Sequence, residues 1–194
     1  MKRLILSSIL FLTVIILQAK VTLPPVLADN MVLQQKTEVN LWGKADPDSK
    51  IVITTTWSKD KVTVSADEGG HWLARVATPQ AGGPYEITFS DGDKITLKNV
   101  LIGEVWICSG QSNMNMRIRG AENQPVEGSV ELIMGAHPST LIRSCNLEHI
   151  KALEPQEECE AKWYENTPEG VAEASAVAYF FAKRLYEVLK VPSG

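Results

Sequence analysis

The chain has 194 residues, 44% of them hydrophobic and 22% charged, a balance that supports a packed core and excludes disorder over most of its length. With 19 basic against 23 acidic residues its formal charge is -4, so it has no cationic excess to neutralise phosphates, and nucleic acid is excluded as an expected partner. The length allows one large or two small domains.

The first nineteen residues stand apart from the rest. Lys2 and Arg3 precede an apolar run from Leu4 to Leu17, broken only by Ser7, Ser8 and Thr13, and Ala19 offers a small residue for cleavage. This is the pattern of a secretory signal. A run of about 14 residues falls short of the roughly 20 that cross a bilayer as a helix. Residues 1–19 are therefore expected to be a removed signal, leaving a secreted or periplasmic protein with no stable membrane anchor. The sequence leaves its oligomeric state open.

From residue 21 to residue 100 the chain repeats short alternating runs: Val39 and Leu41; Ile51, Ile53, Thr55 and Trp57; Val62, Val64 and Ala66; Trp72, Ala74 and Val76; Tyr85, Ile87 and Phe89; Ile95 and Leu97. Period two means strands with one buried face. Turn signals separate them at 46–48, 58–60, 68–70, 80–84 and 91–93, close enough for antiparallel hairpins. The region is expected to be an all-β sandwich. Trp42, Trp57 and Trp72 suit either sandwich core or a sugar-stacking platform, and the continuity of Trp57 and Trp72 with their strands favours core.

A compositional boundary falls near residue 101. Residues 103–116 read GEVWICSGQSNMNM, an apolar run from Val105 to Cys108 that breaks at Ser109 and Gly110 and presents Ser112 between Gln111 and Asn113. A buried strand ending in a small-residue turn holds a hydroxyl at the carboxyl edge of a sheet, where open α/β folds place their ligand sites. Ser112 is the candidate nucleophile. Beyond it a short helix is expected over 126–136, a strand over 141–145 and an irregular acidic stretch over 146–166. Thr167 as N-cap, Pro168 at the first helical position and Glu169 in the first turn then start a strong helix. Val171, Ala174, Val177, Ala178, Phe181, Leu185 and Leu189 follow at helical spacing, the pattern of a helix packed on a sheet. Tyr179, Phe180 and Phe181 are expected mostly to fill core. Strand, turn, helix, strand, helix in that order implies a parallel sheet covered by helices.

The GQSNM segment at Gly110–Met114 resembles the first conserved block of the SGNH (GDSL-like) hydrolases, in the version carried by sialate O-acetylesterases and related carbohydrate acetylesterases. Ser175–Phe181, SAVAYFF, resembles a second segment of the same family at the same distance and in the same order. The resemblance covers residues 22–194. It implies a two-domain chain: an amino-terminal all-β sandwich over 21–100, then an incomplete three-layer, flavodoxin-like SGNH hydrolase domain over 101–194. It implies removal of O-acetyl groups from sialic acid or other acetylated glycans, with Ser112 as nucleophile and its own backbone N–H as one oxyanion donor.

The family's later blocks, a glycine segment and a terminal Asp-x-x-His, do not occur in this sequence. Residues 94–194 contain no aspartate and only two histidines, His137 and His149. Either would need a glutamate such as Glu148, Glu157 or Glu158 to orient it, and solvated or locally bonded histidines are the simpler expectation. The chain is thus expected to lack its catalytic base and to be nearly inactive alone. A half-built parallel sheet would also leave an unpaired edge and an uncovered apolar face.

Cys108, Cys145 and Cys159 match no zinc spacing. Cys108 within the apolar run is expected to be a small buried hydrophobe, and no metal or cofactor is implied. Three other readings stand beside the esterase. A secreted noncatalytic carbohydrate-binding β module would rest on the sandwich. An α/β-hydrolase elbow would need glycine at Met114. In the third, Ser112 simply ends a strand.

Overall fold

The computed structural model describes residues 20–148, 150–154, 156 and 158–194, so the expected signal segment, His149 and Glu157 lie outside the described residues. The fold is mostly β with few helices. Its first part holds β1 (Val32–Gln34), β2 (Glu38–Lys44), β3 (Lys50–Thr55), β4 (Lys61–Ser65), β5 (His71–Ala77), β6 (Gly82–Ser90) and β7 (Lys94–Gly103). The alternating runs coincide with β2 to β7. At three residues, β1 is too short for a period to register.

The strands form a five-stranded sheet in the order β1-β7-β6-β3-β4 and a two-stranded ribbon, β2-β5. All neighbours are antiparallel except β1 and β7, which run parallel with Val32 opposite Leu101. Leu41, Trp72, Ala74 and Val76 of the ribbon meet Ile51, Ile53, Ile87 and Phe89 of the larger sheet in one buried cluster. Trp72 packs on Phe89 with ring centroids 5.6 Å apart. Trp57 lies past the end of β3, half-buried, its Nε1 donating to the Ala77 carbonyl at 3.0 Å. Trp42 points away from the core and is 37% exposed. Among the three tryptophans, full burial is therefore confined to Trp72.

The turn expected over 80–84 is partly strand: β6 starts at Gly82, and its pairing with β7 shifts register twice before Ile87. The boundary near residue 101 is crossed by β7, which runs to Gly103 and continues into a different set of partners. The Glu104 N–H donates to the Pro192 carbonyl at 2.9 Å, Gly194 donates to Glu104 at 2.9 Å, and Trp106 donates to Gly194 at 2.9 Å. On the far side of this segment Ser193 donates to Leu141 at 2.9 Å and Arg143 donates to Ser193 at 2.8 Å. Residues 104–106, 192–194 and 141–143 thus make a narrow parallel ladder with 192–194 in the middle. Gly103 permits the approach, since a Cβ there would run into the Pro192 carbonyl.

The remaining elements are α1 (Ser112–Asn115), α2 (Ser129–Met134), β8 (Ser144–Leu147), β9 (Ala161–Tyr164), α3 (Pro168–Glu173) and α4 (Ala176–Leu189). A second buried cluster joins Ile118, Ile142, Val171, Ala174, Ala176 and Tyr179. The helix expected over 126–136 contracts to α2. The strand expected over 141–145 divides between the parallel ladder at Ile142 and β8, which pairs antiparallel with β9 inside the stretch expected to be irregular.

Three expectations, two about burial and one about helix continuity, are corrected. Val105 to Cys108 is not a strand and is not buried: Trp106 is 51% and Ile107 95% exposed, and Cys108 is an exposed free thiol. The cause is pairing. A central strand needs neighbours on both edges, and past Glu104 this run has, among the described residues, a backbone partner on one edge only, at Gly194, while a Gln34 side-chain oxygen accepts from Val105 on the other. The helix starting at Thr167 is broken into α3 and α4 at the extended residue Ala174. Of the three adjacent aromatics only Tyr179 is buried, and Val177, Phe180, Phe181 and Leu189 on α4 face outward.

Candidate active site

Ser112 is exposed and is the first residue of α1, a single turn that follows seven residues, 105–111, without regular structure. Gln111 precedes it in the N-cap position, with no side-chain cap, and Met114 donates its N–H to the Gln111 carbonyl at 3.0 Å. Among the described residues the Ser112 hydroxyl makes no hydrogen bond. The turn closes when Met116 donates to the Ser112 carbonyl at 3.1 Å.

What holds this turn is the break between α3 and α4. Ala176 donates to the Met116 carbonyl at 2.7 Å, Ile118 donates to Ala174 at 3.0 Å, and Arg119 donates to Ala172 at 3.2 Å. The Arg117 guanidinium also donates to the Glu173 carbonyl, and Arg119 forms an ion pair with the Glu173 carboxylate at 2.8 Å. A continuous helix would have spent these carbonyls internally. Breaking at Ala174 frees them for residues 117–119, and Ser175 caps the restarted helix by accepting from the Ala178 N–H. The backbone of the second segment that carries the family resemblance, at Ala176, is therefore bonded to Met116, two residues past the end of the first.

Above the turn the ring of Trp106 meets Phe181 of α4 edge to face, with centroids 5.1 Å apart. Tyr179 donates from its hydroxyl to Asn166 Oδ1 at 2.7 Å, and burial raises its pKa against that hydrogen bond. Asn166 in turn donates to the His137 carbonyl at 3.1 Å. The His137 ring is exposed and shares a 2.8 Å hydrogen bond with the Ser139 hydroxyl, as expected of a locally bonded histidine. No hydrogen bond links Ser112 to a histidine or carboxylate among the described residues. Glu158 is drawn instead to Lys44 at 2.8 Å, where the hydrogen bond and charge hold its carboxyl below the ordinary range.

A polar network absent from the sequence reading ties the two clusters together. Arg143, 3% exposed at its side chain, is ion-paired with Glu165 and donates to Asn99 Oδ1 at 3.2 Å. Asn99, on β7, donates to Glu165 Oε1 at 3.0 Å and to Asn30 Oδ1 at 2.7 Å. Burial pushes the Glu165 carboxyl up, but the hydrogen bonds from Arg143 and Asn99 together with the Arg143 charge outweigh it and leave the pKa lowered. The one available signal was a lone arginine inside the apolar run Leu141–Cys145. A separate shallow hollow of about 510 Å³, lined in part by Leu27, Asp29, Leu97, Lys162 and Trp163, opens between β7 and β9.

No protein-family model matches the chain. It is similar to the crystal structure of a carbohydrate acetylesterase from Xanthomonas citri, with 32% sequence identity and a TM-score of 0.82 over 90% of this chain and 39% of that one. It is also similar to the sialate O-acetylesterases of Homo sapiens (30% identical over 182 residues, 86% of this chain and 34% of that protein) and Mus musculus (28% over 184 residues, 86% and 33%). In fold and sequence the chain resembles part of a carbohydrate acetylesterase. It belongs, as a partial length, to the family of the sialate O-acetylesterases. The chain spans about a third of the length of the curated relatives it matches.

Proposed function

We propose that this chain is the nucleophile-bearing part of a serine carbohydrate esterase that removes O-acetyl groups from sialic acid or another acetylated glycan. In this reading residues 101–194 contribute part of a three-layer SGNH hydrolase domain behind a β-sandwich over 21–100. The parallel ladder of 104–106, 192–194 and 141–143 supports that assignment. The observation that carries the reading is Ser112 itself: an exposed hydroxyl just after the ladder, on a turn fastened by the SAVAYFF segment.

The Ser112 Oγ attacks the acetyl carbonyl carbon while a base takes its proton. The oxyanion is held by preorganised donors, the backbone N–H of Ser112 among them. Collapse breaks the ester bond and the sugar oxygen leaves with that proton. Water then attacks the acetyl-serine, and acetate departs. With His137 turned to Ser139, the base and its orienting carboxylate are assigned to sequence corresponding to the rest of the relatives' length. Alone, the chain has little or no turnover. Residues 1–19 act as a secretory signal and deliver the protein to the periplasm or the exterior.

A serine-directed fluorophosphonate tests this. In a polypeptide of the relatives' full length that includes this chain, stoichiometric labelling and acetate release from acetylated sialic acid are expected, both abolished by Ser112→Ala. Because Ser112 is exposed and its hydroxyl is unbonded among the described residues, that substitution should leave the unfolding free energy within about 0.5 kcal/mol, as for a surface change. Full acetate release by the Ser112→Ala protein would overturn the assignment.

A further inference from the structure

We propose that the outward face of the β2-β5 ribbon is a second, noncatalytic site for an anionic sugar. Along this face the cross-strand pairs are Glu38 with Ala77, Asn40 with Arg75, Trp42 with Leu73 and Lys44 with His71. Their neighbours Leu41, Trp72, Ala74 and Val76 supply the core, so parity turns this other set outward. Trp42 and Leu73, 37% and 57% exposed, form an apolar floor one pair from Asn40 and Arg75. Successive pairs on one face lie about 7 Å apart, a spacing that one pyranose ring and its substituents bridge.

The charges on the face choose the ligand. Lys44 is ion-paired with Glu158 at 2.8 Å, and His71 lies 3.6 Å from Asp67. Arg75 has no ion pair or hydrogen bond among the described residues, in a chain of net charge -4. The nearest acid on its own face is Glu38, one pair further out and away from Trp42. A guanidinium fork of this kind matches a carboxylate bidentately. The C–H face of a sugar ring stacks on the indole, the Asn40 amide serves its hydroxyls, and Arg75 takes its carboxylate. A sialic acid and a uronic acid both present that combination. The choice of sugar as ligand class rests on the function proposed above; the site itself makes no use of Ser112.

The test uses the full chain carrying Ser112→Ala, labelled with ¹⁵N and titrated with methyl α-sialoside, methyl glucuronide and methyl galactoside. Expected are shifts concentrated at residues 40–44 and 71–75, with an acidic sugar bound at least fivefold tighter than the neutral one. Trp42→Ala and Arg75→Gln should each weaken it at least tenfold with the thermal midpoint unchanged, and Leu73→Asp serves as a third variant should Trp42→Ala fold poorly. A preference between the two acids identifies the source of the carboxylate. Equal binding of acidic and neutral sugars, shifts elsewhere, or variants without effect would overturn the proposal. So would concentration-dependent self-association through this face with no sugar response. Loss of binding here leaves Ser112 labelling unaffected, and loss of labelling leaves this binding unaffected, so the two readings fail separately.

Discussion

The backbone N–H of Ala176 donates to the carbonyl of Met116 at 2.7 Å, fastening the first residue of α4 to the segment that leaves the Ser112 turn. Ser175, whose hydroxyl caps α4, is what lets the helix restart at that point. Ser175→Ala should cost about 1 kcal/mol, the usual value of such a cap, and Ser175→Asp should restore most of it. Amide exchange at Ala176 and Ala178 should quicken in the alanine variant while exchange in β2 and β5 stays as it was. Uniform quickening across both regions would show that the effect is global.

Gly103 lies where β7 hands over from β6 to residues 192–194. Gly103→Ala drives a methyl into the Pro192 carbonyl, and the backbone must shift to relieve it. Overpacking of this order costs about 1–3 kcal/mol. The Glu104 and Gly194 amides should lose protection first, and hydrogen exchange resolved by residue reads this directly.

Arg143 is a buried cation whose partner Glu165 is one-third exposed, so solvent weakens their attraction but not the cost of leaving the arginine alone. Glu165→Gln should therefore destabilise the protein by about 2 kcal/mol or more in chemical denaturation. Arg143→Met, which removes the buried charge altogether, should cost less than that.

The same pair sets a pH dependence. The folded-state pKa of Glu165 is lowered, so its contribution is complete above the ordinary glutamate pKa and is lost as pH falls through the lower folded value. Midpoints measured from neutral to acidic pH should fall more steeply for the native chain than for Glu165→Gln. Parallel curves would remove Glu165 from the explanation.

The cysteines should differ in reactivity. Burial, with a smaller push from Cys159, raises the Cys145 thiol to about 11 against the hydrogen bond from the Lys162 backbone. From a reference of 9.0 this lowers the thiolate fraction near pH 8 by roughly a hundredfold. Iodoacetamide under native conditions should modify exposed Cys108 well before Cys145, as peptide mapping by mass spectrometry will show.

The strands β2 to β7 were readable because period two needs only one buried face, and their partners are supplied within the same stretch of chain. Thr167 and Pro168 likewise announce α3 through contacts no longer than one helical turn. Val105–Cys108 was misread because apolar character says that a run seeks burial without saying whether partners flank it. The α3–α4 break escaped notice because the groups that compensate it, Met116 to Arg119, lie more than fifty residues upstream. Asn99, Arg143 and Glu165 were missed for the same reason: each is unremarkable in its local sequence, and only the fold brings them together. Ser112 was singled out as a candidate by its wording and local turn, while its chemical surroundings depend on tertiary contacts.

Ile107, with 95% of its surface open, follows directly on the exposed Trp106–Phe181 pair, and together they give the native chain an oily patch of the sort usually seen only in loosened states. A hydrophobic dye such as ANS should therefore fluoresce with the protein well below its melting temperature. Dye-based thermal scans would start from a high baseline and understate unfolding, and circular dichroism or tryptophan emission is the sounder optical record of its melting.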